Sequence, residues 1–153
     1  MPLDAICRTR PSAAPRRSIR FDLPATVESV PLARRICGAV LAVWRVDAEE
    51  PCLVLTELAA NAAEHGGGEM AITLKAADGC LHIEVVDSGA APGRGVDAAA
   101  DPFPTRPGGP AGAGDESGRG LGIVAALAQS SRLRRLPDGS TSAYAALPQH
   151  PAP

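Results

Sequence analysis

Apolar and polar residues alternate in three short segments of the chain, and two further segments on either side of a turn complete a prediction of five β-strands. The predicted strands are residues 19–23, 70–74, 81–85, 131–136 and 141–147. Pro24 ends the first segment, and Asp78-Gly79 joins the second to the third with a pair that is typical of a tight hairpin turn. Residues 137–139 (Pro-Asp-Gly) form the corresponding turn between the last two strands.

Three other segments have the spacing of amphipathic helices. These are residues 29–45, 47–65 and 121–129. Ser29 is expected to cap the first helix, and Asp47 with Glu50 resembles a capping box for the second, which ends at three consecutive glycines. This order of elements predicts an α+β fold, a two-layer α/β sandwich in which a mostly antiparallel sheet carries helices on one face.

The same patterns predict a single domain between two less ordered ends. Residues 1–17 contain prolines and arginines without apolar periodicity, so we expect a flexible arm. The domain covers residues 18–148, and residues 149–153 form a tail. Residues 90–119 hold seven glycines and five prolines. A stretch of this length within a small domain is typically functional or disordered.

Composition and charge narrow the classes of function. A formal net charge of −2 argues against a general nucleic-acid binder, which is usually basic. No apolar run reaches the length of a membrane span, and no secretory signal is evident, so we expect a cytoplasmic protein. Cys37 and Cys52 fall on the apolar faces of the first two helices, which predicts buried free thiols rather than metal ligands.

Polar residues recur on one face of the second predicted helix. Glu57, Asn61 and His65 are spaced four apart, which places them on the same face. Their neighbours are apolar, so a Glu and an Asn within this helix need polar partners. Oxygen atoms of this kind suit Mg²⁺, which binds one or two protein groups together with phosphate and water. A solvated helix face explains the same pattern.

An acidic residue stands at the end of the third predicted strand. Asp87 is followed by Ser88 and Gly89. A carboxylate in this place can accept a hydrogen bond from a ligand amine at the floor of a pocket, and Gly89 would allow the ligand to approach the backbone. An ordinary turn has the same sequence, so this segment by itself does not decide between the two interpretations.

Three alternating glycines precede the last predicted helix. Gly118, Gly120 and Gly122 would expose backbone N–H groups at a helix N-terminus, where anions such as phosphate are favoured. A dinucleotide-binding fingerprint needs a preceding strand, and a P-loop needs a following Gly-Lys-Ser/Thr, so both are excluded. A plain glycine-rich linker remains the alternative.

Taken in order, these motifs resemble those of the Bergerat (GHKL) ATPases, the class of gyrase, Hsp90, histidine kinases and MutL. The matching segments are Glu57-Asn61-His65 for the N box, Asp87-Ser88-Gly89 and Gly118–Gly122 for the two glycine boxes, and Gly139-Ser140-Thr141 for the short terminal motif. Residues 90–119 then correspond to the ATP lid. The resemblance covers residues 18–148.

Within that class, the Glu and His that flank Asn61 resemble the RsbW-like anti-sigma-factor serine kinases. Some sensor histidine kinases share this detail, but they need a helical hairpin with a phosphoacceptor histidine, and the one helix predicted upstream contains no histidine. The chain departs from the pattern at Ala91, where the first glycine box has a second glycine.

The resemblance implies ATP and Mg²⁺ as cofactors and a role for each matching residue. Glu57 would be the catalytic general base, and Asn61 would coordinate Mg²⁺. Asp87 would receive the adenine amino group, with Gly89 beside the base and Thr141 in contact through water. The phosphates would lie against the remaining motif, which consists of Gly118, Arg119, Gly120, Leu121 and Gly122. His65 has no assigned role.

The activity implied by the resemblance is that of an anti-sigma-factor-type regulator of a bacterial kind. Such a protein phosphorylates a serine of an anti-anti-sigma (STAS) antagonist and sequesters a sigma factor, without direct contact with nucleic acid or membrane. The family also suggests a homodimer. Two alternatives stay open: a catalytically weak ATP-binding module that acts through protein–protein binding alone, and the ATPase part of a split sensor kinase.

Overall fold

The computed structural model describes residues 16–65, 67–88 and 116–153, and within these ranges it contains five strands and three helices. The elements are β1 (Arg17–Pro24), α1 (Ser29–Trp44), α2 (Glu49–His65), β2 (Glu69–Ala77), β3 (Cys80–Asp87), α3 (Glu116–Leu127), β4 (Ser130–Arg135) and β5 (Thr141–Pro148). The strands form one sheet in the order β1-β2-β3-β5-β4, and every neighbouring pair is antiparallel. The predicted α+β sandwich is confirmed.

One face of the sheet, here called the inner face, carries the hydrophobic core. Its central strands contribute Met70, Ile72 and Leu74 from β2, Leu81, Ile83 and Val85 from β3, and Ala143, Ala145 and Leu147 from β5. The helices cover this face with fully buried leucines such as Leu55 and Leu58 of α2 and with Val124 of α3. Each fully buried aliphatic side chain of this size contributes about 1.5–3 kcal/mol. Helix packing on a single face is the arrangement that the strand alternation predicted.

The β2–β3 hairpin has the turn that its sequence predicted. Asp78 and Gly79 both have positive φ, at 53° and 78°, as a type I′ turn requires. Ala77 pairs with Cys80 across it. The turn therefore fixes the register that brings Met70 opposite Asp87 at the other end of the hairpin.

The start of α1 differs from the expectation. Ser29 is the first helical residue, and its hydroxyl lies 3.1 Å from Thr26 Oγ1 rather than on the helix backbone. Glu28 occupies the N-cap position without a side-chain cap. The expected Ser29 cap was therefore wrong, because the tight turn that precedes the helix engages the hydroxyl. Asp47 does act at the start of α2, where it accepts a hydrogen bond of 3.2 Å from the Glu49 N–H.

Cys37 and Cys52 are buried free thiols, as predicted. Cys52 packs against α1, with its Sγ 3.9 Å from the Arg34 carbonyl oxygen. A hydrogen bond from the Cys37 thiol lowers the pKa of Cys52 to about 7. Of the helices in the described ranges, none has both the length and the apolar character needed to cross a membrane.

The other face of the sheet, here called the outer face, is polar and includes one histidine. His82 Nδ1 lies 2.6 Å from the Tyr144 hydroxyl, and the two rings stack with centroids 6.0 Å apart. Partial burial lowers the pKa of His82 below 6.5, and the nearby Lys75 ammonium lowers it further, against a weaker opposing effect of Asp78. The folded protein therefore favours the neutral imidazole.

This pKa shift predicts a pH-dependent loss of stability. Below pH 6.5 the unfolded chain binds more protons at His82 than the folded chain does, so stability falls as the pH falls through that value. We expect the free energy of unfolding to decrease more steeply between about pH 7 and about pH 5 for the wild type than for His82→Gln. Urea denaturation at several pH values measures this difference. Parallel curves for the two proteins would contradict the assignment.

Candidate functional site

The chain topology brings the end of α2 to the end of β3. Helix α2 leads through three glycines into β2, whose second residue, Met70, pairs with Asp87, the last residue of β3. The C-terminal turns of α2 therefore lie at the same end of the sheet as Asp87. Asn61 is four residues before the end of α2, which is about 6 Å along the helix axis.

Asp87 and Thr141 are direct neighbours across the β3–β5 pair. Both continue the inward-facing alternation of their strands, after Val85 in β3 and before Ala143 in β5, so they face the helix layer. Opposed residues of this kind have Cβ atoms about 5 Å apart. Asp87 is only 5% exposed. The structure thus brings together two residues that are far apart in the chain and that the sequence analysis assigned to one pocket.

Ser88 holds the end of β3 to the start of β2. Its hydroxyl donates to the Gly67 carbonyl oxygen at 2.6 Å and accepts from the Glu69 N–H at 3.0 Å. Gly68, with φ of 72°, passes so close that a Cβ at this position would lie 2.6 Å from Ser88 Oγ. No sequence pattern indicated this role for Ser88, which fixes the backbone on the side of the site where α2 ends.

The Glu57 carboxylate lies against helix α3 at Gly120. A Cβ added to Gly120 would overlap Glu57 Oε2 and would lie 3.2 Å from Glu57 Cδ. Gly120 is itself buried. The absence of a side chain at position 120 therefore allows α3 to pack against the polar face of α2. This contact joins the first and third motifs of the sequence analysis.

The direction of α3 follows from the strand that comes after it. Strand β4 begins at Ser130, opposite Ala146, and ends at Arg135, opposite Thr141. Thr141 lies opposite Asp87, so β4 begins at the end of the sheet that is far from Asp87. Because α3 ends just before β4, the N-terminus of α3 lies toward Asp87. The N-terminus of a helix offers unpaired N–H groups and a partial positive charge. An anion is therefore favoured on this side of the site.

The glycine motif lies within α3 rather than before it, which corrects the predicted helix of residues 121–129. The helix begins at Glu116 and contains Gly118, Gly120 and Gly122 in its first two turns. Only the first turn has free N–H groups, so the N–H groups of Gly120 and Gly122 fall within the helical hydrogen-bond ladder. Each glycine in a helix lowers its stability by about 1 kcal/mol relative to alanine, and for this reason the sequence predicted a loop here. Packing of Leu121 and Val124 against the core outweighs this cost.

Some predicted site residues lie outside the described part of the chain. Gly89 and most of the expected lid, residues 90–115, are among them, as is most of the N-terminal arm. For His65 and Arg119 the structure describes only the helical backbone.

A metal ion bound at Asn61 would need ligands other than the described side chains. Within the described ranges, no three His, Cys, Asp or Glu side chains are grouped in a way that could hold a metal. Mg²⁺ keeps several waters and commonly binds through one or two protein oxygens together with substrate phosphates. The side-chain oxygen of Asn61, on the α2 face that Glu57 joins to α3, is of the type that this mode of binding needs.

Comparisons with known proteins agree with the fold described above. A family model described as the histidine kinase-like ATPase domain matches residues 23–142. Among solved structures, the fold is similar to a crystal structure of the RsbU and RsbW domains of Rv1364c from Mycobacterium tuberculosis, with a TM-score of 0.62 and 20% sequence identity. That similarity covers 89% of this chain and 34% of the crystallised one, so this chain spans about a third of that length. No curated protein matches the sequence.

The contact between Glu57 and Gly120 predicts an energetic coupling between these positions. Gly122→Ala should stabilise the fold by up to about 1 kcal/mol, because a Cβ there meets nothing within 4 Å. Gly120→Ala should not give this gain, because the new methyl group displaces the Glu57 carboxylate. In a Glu57→Ala background, Gly120→Ala should become as favourable as Gly122→Ala.

A double-mutant cycle measured by urea denaturation tests this prediction. We expect a coupling of about 1 kcal/mol between positions 57 and 120 and none between positions 57 and 122, which serve as the matched control. Equal stabilisation by both alanines in the wild-type background would show that α3 does not pack on Glu57.

Proposed function

The chain belongs to the histidine kinase-like ATPase domain family, and from this premise we propose that it binds Mg-ATP between α2, α3 and the ends of β3 and β5. One observation supports this proposal above the others. The contact of Glu57 with Gly120 joins α2 to α3 on the face of the sheet where Asp87 and Thr141 are paired. This contact supports a single space in which the residues that the sequence assigned to adenine, metal and phosphate would meet.

In the proposed site, the sheet contacts the adenine base, and the helices contact Mg²⁺ and the phosphates. Asp87 accepts the hydrogen bond of the adenine amino group, Thr141 lies beside it, and Gly89 leaves room for the base. Asn61 provides an oxygen ligand for Mg²⁺. The phosphates lie at the α3 N-terminus, where Gly118 belongs to the turn with unpaired N–H groups and Arg119 adds charge. Gly120 contributes by its close packing on Glu57, Gly122 leaves open space beside the helix, and Leu121 packs against the core.

Glu57 is the proposed general base. It lies one turn before Asn61 on the same face of α2, and its carboxylate is held beside α3. From this position it can accept the proton of a serine hydroxyl that attacks the γ-phosphate. Bound ATP with Mg²⁺ supplies the phosphoryl group, and the protein contributes mainly positioning and electrostatics.

The proposed biological role is that of an RsbW-type regulator in the cytoplasm of a bacterium. It would phosphorylate a serine of a STAS-type antagonist. Its second partner would be a sigma factor that it sequesters, and the regulator itself would form a homodimer. The likeness of the fold to a structure that contains an RsbW domain supports this choice within the family.

A second candidate function is ATP-dependent binding without useful phosphoryl transfer. Two observations favour it. The N–H groups of Gly120 and Gly122 are part of the α3 ladder, so fewer donors face the phosphates than a glycine loop would offer. Ala91 also replaces a glycine expected at the lid hinge. In this case partner capture rather than catalysis would be the output of the site.

Nucleotide binding is expected to depend on the charge of Asp87. Asp87→Asn should weaken Mg-ATP binding about tenfold, because a hydrogen bond to a charged group contributes about 1.5–3 kcal/mol. Asp22→Asn is the matched control, since Asp22 is an exposed carboxylate in β1 that is engaged by Arg20 on the outer face. Calorimetric titration of the three proteins gives the affinities. Equal affinities for all three would remove Asp87 from the site.

Phosphoryl transfer is expected to depend on Glu57 more than nucleotide binding does. Glu57→Gln should slow transfer to a STAS-domain acceptor at least about 100-fold and leave Mg-ATP affinity within about twofold, because a general base acts only in the transition state. The measurement uses ATP labelled at the γ-phosphate together with the STAS protein encoded nearest to this gene.

The chemical lability of the label separates the competing functions. Acid-stable phosphoserine is the expected product, and an acid-labile label would indicate a histidine acceptor and a split sensor kinase instead. Capture of the STAS protein without any labelling would favour the second candidate. Transfer at an undiminished rate by Glu57→Gln would exclude Glu57 as the base.

A further inference from the structure

A row of polar residues crosses the outer face of the sheet, away from the helices. The strand register aligns five of them in one line, in the order Arg20, Thr73, Glu84, Tyr144 and Arg132. In the adjacent row, Lys75 pairs with His82. Because successive residues of a strand point to opposite faces, these side chains are separated from the proposed nucleotide site by the sheet itself.

Part of this row encloses a pocket of about 270 Å³. Its walls and floor are formed by Thr73, Lys75, His82, Glu84, Arg132 and Tyr144. This volume is close to the lower limit of the pockets that hold small metabolites in proteins. The pocket is therefore large enough for a compact molecule, and all six lining side chains can form hydrogen bonds.

Neighbouring groups hold the floor of the pocket in place. The Tyr144 hydroxyl lies 2.6 Å from His82 Nδ1, and the Arg132 guanidinium carbon stands 5.2 Å from the Tyr144 ring centroid. Glu84 accepts a hydrogen bond of 2.7 Å from the Ser142 hydroxyl. Arrangements of this kind fix side-chain rotamers before a ligand binds, which lowers the entropic cost of binding.

Among the described residues, the two cations of the pocket have no carboxylate partner. The ion pairs among the described residues join Arg16 to Asp78 and Arg20 to Asp22, and neither Lys75 nor Arg132 pairs with a described acid. Glu84, the one carboxylate in the lining, is engaged by Ser142 instead. The pocket thus carries two positive charges and one negative charge, which favours an anion.

We propose that this outer-face pocket binds a small molecule with an oxyanion group, a carboxylate or a phosphate, between Lys75 and Arg132. Thr73 adds a hydroxyl that can donate to the same group. Glu84 retains free lone pairs and accepts a hydrogen bond from a hydroxyl or ammonium group on the ligand. The sheet separates this pocket from the proposed nucleotide site, so we expect the oxyanion to bind whether or not nucleotide is bound.

Two probes distinguish the sources of the oxyanion. Inorganic phosphate represents the phosphate class, and L-glutamate represents carboxylates that also carry an ammonium group for Glu84. Each is titrated into the full-length protein at constant ionic strength, and binding is followed by calorimetry and by chemical-shift changes of the Tyr144 and His82 rings. We expect saturable binding of at least one probe with shifts of both rings.

Charge-neutralising variants test the assignment of the pocket. Lys75→Gln and Arg132→Gln should each weaken binding of that probe at least fivefold, which corresponds to about 1 kcal/mol. Arg134→Gln is the matched control, because Arg134 is exposed on the same strand and face but does not line the pocket. Thermal unfolding and Mg-ATP titration should be unchanged in all three, which keeps this test separate from that of the nucleotide site.

Three results would overturn the proposal. The first is that the wild type binds neither probe saturably. The second is that Arg134→Gln loses as much affinity as Lys75→Gln and Arg132→Gln. The third is that Arg132→Gln loses self-association, measured by sedimentation, while no probe binds. The last result would assign the outer face to a second copy of the chain.

Discussion

The candidate site depends on the close approach of two helices, α2 and α3, at one residue without a side chain. Gly120 allows α3 to lie against the Glu57 carboxylate, and a methyl group in its place would occupy the position of that carboxylate. Because α3 is tied to β4 at the far end of the sheet, this contact also sets where its N-terminus lies relative to Asp87. The proposed nucleotide site, which combines the Asp87 carboxylate, the Asn61 amide and the α3 N-terminus, depends on this placement.

The sheet supports this site and divides the molecule into two chemical environments. In the central strands the inner face is aliphatic and becomes polar at the end where Asp87 and Thr141 are opposed. The outer face carries a row of polar residues, in which Glu84 and Tyr144 are paired directly behind the core. Period-two alternation in β3 is thus sufficient to place the Asp87 carboxylate on one side of the sheet and Glu84, which lines the outer-face pocket, on the other.

Local patterns predicted the elements well, and failures occurred where packing decides. The Asp78-Gly79 hairpin was predictable because both residues tolerate positive φ, and its register follows directly. The start of α3 was not predictable in this way. The low helix propensity of three glycines favours a loop, whereas burial of Leu121 and Val124 favours a helix. The motif order predicts a shared nucleotide site, which stays a prediction. The Glu57–Gly120 contact and the Ser88 hydrogen bonds were not predicted, because they depend on tertiary distances that no sequence spacing contains.

A crystal structure of the protein with Mg²⁺ and a non-hydrolysable ATP analogue would show where the nucleotide binds. We expect the adenine amino group within hydrogen-bond distance of the Asp87 carboxylate. We also expect the metal at the Asn61 side chain and the phosphates at the N-terminal turn of α3, with Glu57 still against Gly120. A nucleotide bound elsewhere, or an α3 that leaves Glu57 in order to admit it, would show that the proposed site is wrong.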